Sequence, residues 1–594
     1  MPERYRAAVS ALPDLSIKFA TALRKGFKAG YRLRDLRADV LAGMVVAVVA
    51  LPLSMALAIA SGVPPQHGIY TAIVGGGLIA LCGGSPVQVS GPTAAFVVIL
   101  APISSQFGLG GLMIASVMAG ALLLIAGTAR LGRLIEFIPY PVTTGFTSGI
   151  AVVIATLQVK DFFGLPIEKM PEHYVQKVQV ILQSLPSLQA DDLLIGVGTL
   201  VILVVLPKIT RAVPAPLVAL PLAAAAGVLL SRFVPGFEVD TINSRFSYVI
   251  DGVSRQGIPQ YPPQLMMPWN APAADGQPIG LSLALVQALL GSAFAIAMLG
   301  AIESLLSAVV ADGMTGTKHD PDAELIGQGI GNVVAPFFGG FAATGAIART
   351  ATNIRYGARS PLASVTHAVF MLVVVLLLAP VLGYLPMASM AALLLIVAWN
   401  MSEAKHFFHV VRVAPRSDTV VLLTCFGLTV VFDMVISVSA GVVMAAMLFM
   451  RRMAEISTVR LISTSPEHAH VFMPPGTLIY GIAGPLFFGA AQKAMSALHT
   501  VESHIRTVIL DLSDVPIMDA TGLVNLESAV EKLRKAGVYV IVAGVQTEVL
   551  KVMARAGWKD HHGWMTIRGS LEDGIARAWA LHAIREEGQT EPAR

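Results

Sequence analysis

Charge is what this chain lacks most. Only 13% of its 594 residues are Asp, Glu, Lys or Arg, against about 25% in soluble globular proteins, while 55% are hydrophobic. A large soluble core does not account for that balance. Apolar runs of 18 or more residues, recurring from Val40 to Met450, do account for it, because runs of that length read as membrane-spanning helices. Cysteine is nearly absent as well. Cys82 and Cys425 both sit inside apolar runs, which makes them packing residues rather than a disulfide or a metal pair. No His, Cys or carboxylate cluster has metal-ligand spacing and no phosphate-binding P-loop pattern appears. Neither a metal, another cofactor, a nucleic-acid partner nor ATP as an energy source is therefore expected, and nothing points to an enzyme.

The first 39 residues are basic, with Arg4, Arg6, Lys18, Arg24, Lys25, Lys28, Arg32, Arg34 and Arg37. They hold no short apolar core followed by a small-residue cleavage site, so no removed signal peptide is expected. Apolar spans begin near residues 40, 68, 91, 111, 141, 193, 216, 285, 325, 345, 361, 387, 418 and 435, and those near 91 and 345 are short. Past Arg451 and Arg452 charges become frequent and α/β patterning takes over. The expected organisation is an N-terminal segment (1–39), a transmembrane domain (40–452), a linker (453–467), a soluble domain (468–585) and a disordered tail (586–594).

Fourteen spans put both termini on one side of the bilayer. With the N-terminus inside, the short inner connections carry Arg130 and Arg133, Lys208 and Arg211, Lys318, Arg355 and Arg359, then Lys405, Arg412 and Arg416. The outer connections 61–67, 102–110 and 381–386 carry no Lys or Arg. The long outer segments near 160–191 and 232–284 hold three each, and long loops weigh little in orientation. The positive-inside rule then places both termini in the cytoplasm.

The two short spans share a design. Val89-Ser90-Gly91-Pro92-Thr93-Ala94-Ala95-Phe96 opens one of them; Ser90 is a candidate cap and Pro92 suits a first helical turn. Gly339-Gly340-Phe341-Ala342-Ala343-Thr344-Gly345-Ala346 opens the other, its glycines permitting irregular backbone. Pro52 precedes Thr93 by 41 residues and Glu303 precedes Ala346 by 43, the signature of a repeat. Paired, interrupted spans in matching places point to a transporter's binding site. A half-helix that starts at mid-membrane aims its unpaired N–H groups and a partial positive charge at a ligand, so two such ends meeting form an anion site. The alternative is a pair of ordinary loops with re-entrant backbone.

Few charges fall inside the spans. Glu303 is the only ionisable residue between Leu281 and Ala311, where a carboxylate costs roughly 2.5–3.5 kcal/mol on insertion scales. It reads either as a proton carrier or as a structural carboxyl bonded to a neighbouring helix. Ser307, one turn on, shares its face. Arg349, the only charge between Phe337 and Ile354, reads as a fixed positive charge that attracts an anion. Otherwise it snorkels to the interface or pairs with Glu303. Arg355 and Arg359 are expected at the cytoplasmic surface. His67, His319 and His367 each stand alone and read as loop or packing residues. Gly75-Gly76-Gly77 suits close helix packing.

Together these segments resemble the SulP anion transporter family. The resemblance is carried by ALPLSMALAIASGVPPQHGIYTAIVGG, QVSGPTAAF, IEFIPYPVTTGFTSGIA, LGAIESLLSAVVADGMTGTKHD, GGFAATGAIARTATNIRYGARSP and DLSDVPIMDATGL, and covers about residues 35–585. It implies an all-α polytopic membrane protein of 14 spans in two inverted seven-span repeats with two half-helices. A core domain would move against a gate domain, followed by a small α/β STAS domain. It implies that Thr93, Ala94, Gly345, Ala346, Ile347, Ala348 and Arg349 line the anion site. Glu303 would be the coupling position, with Ser307 beside it and H+, or else Na+, as the coupling ion. It also implies a homodimer. VSGPTAAFVVIL, AIESLL with DGMTGTKH, and AALLLIVAWNMSEA look most like the family's bacterial four-carbon dicarboxylate transporters. Succinate, fumarate or aspartate is then the expected substrate, with sulfate or bicarbonate as the alternative. Many members carry Gln after the Pro of the first span; here Leu53 follows Pro52, which removes a polar site group. A passive anion channel and a membrane-anchored signalling platform remain as readings from other classes.

In the soluble part, Val508–Leu512 reads as a buried strand, Asp514–Gly522 as a loop, Leu523–Lys535 as a helix and Val538–Ala543 as a second strand. This resembles the STAS fold of anti-sigma-factor antagonists through the motif DxSxVxxxDxxG. Those proteins are phosphorylated on a serine just after the second Asp. Here Ala520 follows Asp519, with Thr521 one place later, so the resemblance implies a binding or dimer-supporting role with a cytoplasmic protein partner.

Overall fold

The structure is a computed structural model that describes residues 19–133, 139–167, 170–171, 173–210, 213–250, 253–432, 434–456, 458–461, 473–487 and 504–587. Arg4, Arg6, Lys18, Arg211, residues 462–467 of the expected linker and residues 588–594 of the expected tail lie outside the described residues. The chain divides into two compact units, Met1–Val442 and Val443–Arg594.

The first unit is helical because a spanning chain in hydrocarbon must satisfy every backbone N–H and C=O within itself. Among the described residues nine helices are long and apolar enough to cross a membrane. After a short basic helix, α1 (Thr21–Lys28), come α2 (Leu33–Ala60), α3 (Pro65–Tyr70), a π-helical turn (Thr71–Gly75) and α4 (Gly76–Cys82). Strand β1 (Ser90–Gly91) leads into α5 (Ala94–Thr128), which Gly108 breaks at φ 69° and ψ −168°. Residues 94–107 are thus a half-span and 109–128 a full one. Helices α6 (Tyr140–Phe162), α7 (Tyr174–Ser184), α8 (Ala190–Ile209) and α9 (Ala215–Phe233) complete the first repeat. A hairpin of β2 (Ser247–Ile250) and β3 (Val253–Gln256) follows.

The second repeat has α10 (Leu283–Thr315), α11 (Pro321–Val334), β4 (Thr344–Gly345), α12 (Ile347–Arg355) and α13 (Leu362–Leu382). Then come α14 (Met387–Ser402), α15 (Ala404–Val413), α16 (Arg416–Val431) and α17 (Met434–Ile456). Each expected span has its counterpart. Those absent from the nine are the short or interrupted ones: the α3–α4 pair around its π turn, one part of α5, α11, α12 and α16.

Packing sorts the spans into two groups. In one, α2 lies against α13 and α5 against α10 and α11; in the other, α6 lies against α14 and α16, and α8 against α14. These are the core and gate halves, each drawing on both repeats. Close approach is set by small residues. A Cβ on Gly120 of α5 would sit 2.8 Å from Gly329 O, and one on Gly329 of α11 would sit 2.9 Å from Gly120 O. In the expected Gly75–Gly77 run, a Cβ on Gly76 would meet Ser90 O at 2.5 Å, so the glycine admits β1 beside the helix. Cys82 and Cys425 are buried and free.

The first span begins earlier than its apolar run. Helix α2 starts at Leu33, where Asp35 Oδ2 accepts from Arg32 N at 2.9 Å, so the basic stretch continues as helix through residue 39. Asp39 is fully buried. It accepts from Tyr31 Oη at 2.7 Å, from the backbone N–H groups of Arg359 and Ser360 at 2.6 and 3.1 Å, and from Ser360 Oγ at 2.5 Å. This carboxylate ties the first span to the turn that ends α12.

The second unit is a five-stranded sheet in the order β5 (Thr458–Leu461), β6 (Thr477–Ala483), β7 (Thr507–Asp514), β8 (Tyr539–Ala543), β9 (Met565–Arg568). Strand β5 pairs antiparallel and the rest are parallel. The expected linker at 453–467 therefore contains the end of α17 and an edge strand. Helices α18 (Ala520–Lys535) and α19 (Thr547–Arg555) cover one face, and α20 (Leu571–Glu587) the other. Val508–Leu510 of β7 are buried against both faces, which is why they read as a short apolar run ahead of Asp511. Helix α18 starts at Ala520, three residues before the expected Leu523, because Asp519 Oδ1 caps it by accepting from Gly522 N at 2.7 Å. The second Asp of the motif is a helix cap. Likewise α20 reaches Glu587, into the stretch expected as a disordered tail.

Asp39→Ala strands two buried backbone donors and is expected to cost about 3 kcal/mol. Thermal unfolding of the purified full-length protein should show a clear drop in Tm; an unchanged Tm would contradict the role given to this carboxylate.

Candidate functional site

The two interrupted spans are joined by main chain. Strands β1 and β4 pair antiparallel, Ser90 opposite Gly345 and Gly91 opposite Thr344, and Ala346 N donates to Val89 O at 2.9 Å. The half-helices leave this two-residue ribbon in opposite directions, one from Ala94 and the other from Ile347. Their caps, Thr93 (φ −122°, ψ 157°) and Ala346 (φ −107°, ψ 107°), are extended, and neither side chain accepts from its own helix. The first N–H groups of both helices are left for a ligand. Two details differ from expectation. Ser90 lies in β1 rather than capping the helix, and Pro92 precedes the cap instead of entering the first turn, because the chain stays extended until Thr93 to complete the ribbon.

Around the ribbon gather most of the residues singled out in the sequence. Thr93, Ala94 and Gly345 are buried, and Ala346 is half-buried. Arg349, in the first turn of α12, is only 3% exposed. Its Nη2 donates to Pro92 O, while Nε and Nη1 are buried without a hydrogen-bond partner. The guanidinium thus reaches from the second half-helix to the mouth of the first, and a Cβ on Gly91 would lie 2.6 Å from its Nη1. Two free N–H faces on a buried, fixed cation suit an oxyanion. Glu303 bonds elsewhere: its Oε2 accepts from Thr93 Oγ1 at 2.8 Å.

Ile347 and Ala348 supply the first N–H groups of α12, whereas Ser307 is turned to the support of the ribbon. Ile347 and Ala348 are exposed on the first turn of α12, Ile347 by 39%. Ser307 donates to Thr350 Oγ1 at 3.2 Å, and that same oxygen accepts from Val89 N at 3.1 Å. Its bond therefore serves the ribbon. The histidines are packed or paired. His67 Nδ1 lies 2.6 Å from Gly339 O, His319 Nδ1 lies 2.7 Å from Asp312 Oδ2, and His367 is buried. His319 is thus not solitary. Arg359 is exposed, with Nη1 2.5 Å from Asp35 Oδ1.

A buried carboxylate close to the ribbon escapes sequence reasoning. Glu324, 2% exposed, accepts from Gly84 N and Ser85 N at 3.0 and 3.1 Å, and from Gln88 Nε2, Ser304 Oγ and Gln328 Nε2 at 2.9, 2.9 and 3.1 Å. Gln328 Nε2 also donates to Ser90 Oγ at 3.2 Å, and Asn332 Oδ1 accepts from Ala343 N at 2.6 Å. The network holds both approaches to the ribbon. In the sequence Glu324 looks like an ordinary acidic residue in a helix's first turn. The one available signal is the polar stripe Glu324, Gln328, Asn332 at four-residue spacing on a helix whose other polar residue is Asp322.

Removing the Arg349 cation should separate from removing its scaffold. Arg349→Ala is expected to weaken anion binding by at least about tenfold, read with labelled sulfate, bicarbonate and succinate, with little change in Tm. Glu324→Ala is expected to lower Tm and binding together. Equal affinity in Arg349→Ala would remove it from the site.

The chain is similar to known proteins over most of its length. The model of the sulfate permease family matches residues 36–425, and that of the STAS domain matches residues 470–574. A putative sulfate transporter of Bacillus subtilis, YvdB, is 40% identical over 547 residues, covering 90% of this chain and 98% of that protein. The bicarbonate transporter BicA of Picosynechococcus is 30% identical over 558 residues, covering 88% and 92%. Among solved structures, the transmembrane domain of a cyanobacterial BicA aligns with TM-score 0.57 at 27% identity, covering 70% of this chain and 98% of that one. The murine anion transporter Slc26a9 aligns with TM-score 0.80 at 18% identity, covering 97% and 98%, a likeness of fold. A helical transmembrane unit followed in sequence by an α/β unit agrees with these matches: the chain is a multi-pass membrane protein that belongs to the sulfate permease family of anion transporters and carries a C-terminal STAS domain.

Proposed function

We propose that this chain is a secondary active transporter that carries a small anion across the bacterial inner membrane by alternating access, with both termini in the cytoplasm. One observation carries the reading: the free N–H ends of two half-helices and the Arg349 guanidinium converge on the β1–β4 ribbon. Helix-end charges and a buried arginine favour an anion where water is scarce. A single confined site differs from the continuous polar pore a channel needs.

Glu303 is the coupling group and H+ the coupling ion. An acidic side chain hydrogen-bonded to a residue of the anion site lets one proton and one anion share a pocket. Sodium would take oxygen ligands from Glu303 and from Ser307, whose Oγ donates to Thr350 Oγ1 and keeps its lone pairs, so sodium is the competing coupling ion. The motif resemblance points to a four-carbon dicarboxylate such as succinate, fumarate or aspartate. Two relatives carry the names sulfate and bicarbonate transporter, which makes those anions the competitors. The soluble domain serves as a docking element for a cytoplasmic protein, and the working unit is a homodimer.

Proteoliposomes holding the full-length protein test this with labelled succinate, fumarate, aspartate, sulfate and bicarbonate under imposed proton or sodium gradients. Uphill uptake of one anion driven by an inward proton gradient is expected, and Glu303→Gln should flatten its pH dependence. Downhill flux indifferent to either gradient would overturn active transport in favour of a channel. Dependence on sodium alone would replace the proton.

A further inference from the structure

We propose that Thr93 converts the protonation state of Glu303 into anion affinity, its hydroxyl turning its proton toward the carboxylate when Glu303 is ionised and toward the transported anion when Glu303 is protonated. The proposal rests on the reading of Glu303 as the proton carrier. It assigns the residue through which the proton is felt at the anion site.

The geometry is specific. Serine or threonine at a helix N-cap ordinarily accepts a hydrogen bond from the second or third N–H of its own helix. Thr93 is the cap of the first half-helix, yet its side chain makes no such bond. Its Oγ1 turns instead to Glu303 Oε2 on α10, at 2.8 Å. The half-helix thereby keeps its N–H groups for the ligand, and the hydroxyl sits between a carboxyl and the helix mouth.

A threonine hydroxyl has one proton and two lone pairs, and an ionised carboxylate only accepts. While Glu303 is ionised, Thr93 must donate to it, and Oγ1 shows the pocket only lone pairs, which repel an anion. A protonated Glu303 supplies the hydrogen of that contact itself. Thr93 is then free to donate to the anion beside the helix N–H groups. The only bond made or broken is the O–H of Glu303: the proton comes from water on the loading side and leaves to water on the other, and the anion keeps its own protonation. Proton and anion favour one another's binding through the hydroxyl as well as through charge.

The elements packed against α10 leave Glu303 as the group that changes state. The half-helix of α5 and strand β4 carry no ionisable residue. Helix α12 contributes Arg349, tied to Pro92 O, and the exposed Arg355. Helix α11 contributes Asp322, which accepts from Gly132 N at 3.2 Å, and Glu324, whose oxygens already take donors from Gly84, Ser85, Gln88, Ser304 and Gln328.

Equilibrium binding of labelled sulfate and labelled succinate to the full-length protein in nanodiscs, from mildly acidic to mildly alkaline pH, tests the relay. In the wild type, acidification should tighten binding. Thr93→Ser should keep that gain, and Thr93→Val should reduce it by on the order of tenfold, leaving the part due to charge alone. Glu303→Gln presents a carboxamide that donates as the protonated acid does, so it should bind tightly at every pH, and adding Thr93→Val should bring back the tenfold loss. A wild-type gain in Thr93→Val, a lost gain in Thr93→Ser, or no effect of Thr93→Val in the Glu303→Gln background would overturn the relay while leaving Glu303 as carrier. A pH dependence that survives Glu303→Gln would remove Glu303 itself.

Discussion

The transmembrane unit is organised around a short antiparallel ribbon that joins two interrupted helices at their N-terminal ends. A backbone that leaves the helical state inside a bilayer exposes N–H and C=O groups that cost several kcal/mol each if unpaired. Here the extended residues of one repeat satisfy those of the other: Ser90 faces Gly345, Gly91 faces Thr344, and Ala346 N reaches Val89 O. The groups left over are the first N–H groups of each half-helix, each helix following directly on one strand of the ribbon. The fold therefore creates an electropositive site as a consequence of solving its own hydrogen-bonding problem.

The residues around the ribbon divide into those that the proposed site turns toward the anion and those that keep the ribbon in place. Arg349 and Thr93 belong to the first group, each reaching across from its own repeat to the other or to α10. Glu324, Gln328, Asn332 and Thr350 belong to the second, and each pairs with backbone or side chains of the ribbon's approaches. Asp39 extends this support outward by holding the turn beyond α12 against the first span. The two carboxylates near the site, Glu324 buried and Glu303 half-buried, have opposite characters. Glu324 is surrounded by donors, whereas Glu303 has one hydroxyl for a partner and so has more reason to exchange a proton.

Much of this was legible in the sequence, because hydropathy and span interruption follow directly from what a bilayer tolerates. The two short spans, Arg349 in the first turn and Glu303 alone on its helix could be read from spacing and scarcity of charge. What stayed hidden depended on tertiary pairing. That Thr93 would turn from its own helix to Glu303, that Ser307 would bond to Thr350 rather than join Glu303, and that Glu324 would be sealed by five donors are facts about neighbours distant in sequence. Boundaries slipped where polar residues continue a helix, as at Leu33–Asp39, or where a cap starts one early, as Asp519 does for α18. The edge strand β5 was missed because a short polar strand beside a helix end carries little pattern of its own.

The proposed transport site puts the anion between the two helix mouths. Anomalous diffraction from crystals of the full-length protein soaked with selenate, a heavy analogue of sulfate, measures this directly. A selenium peak within hydrogen-bond reach of the N–H groups that open α5 and α12, beside Arg349, is the predicted result. A peak elsewhere in the transmembrane unit, with the space between Thr93 and Ala346 filled by side chains, would contradict the account.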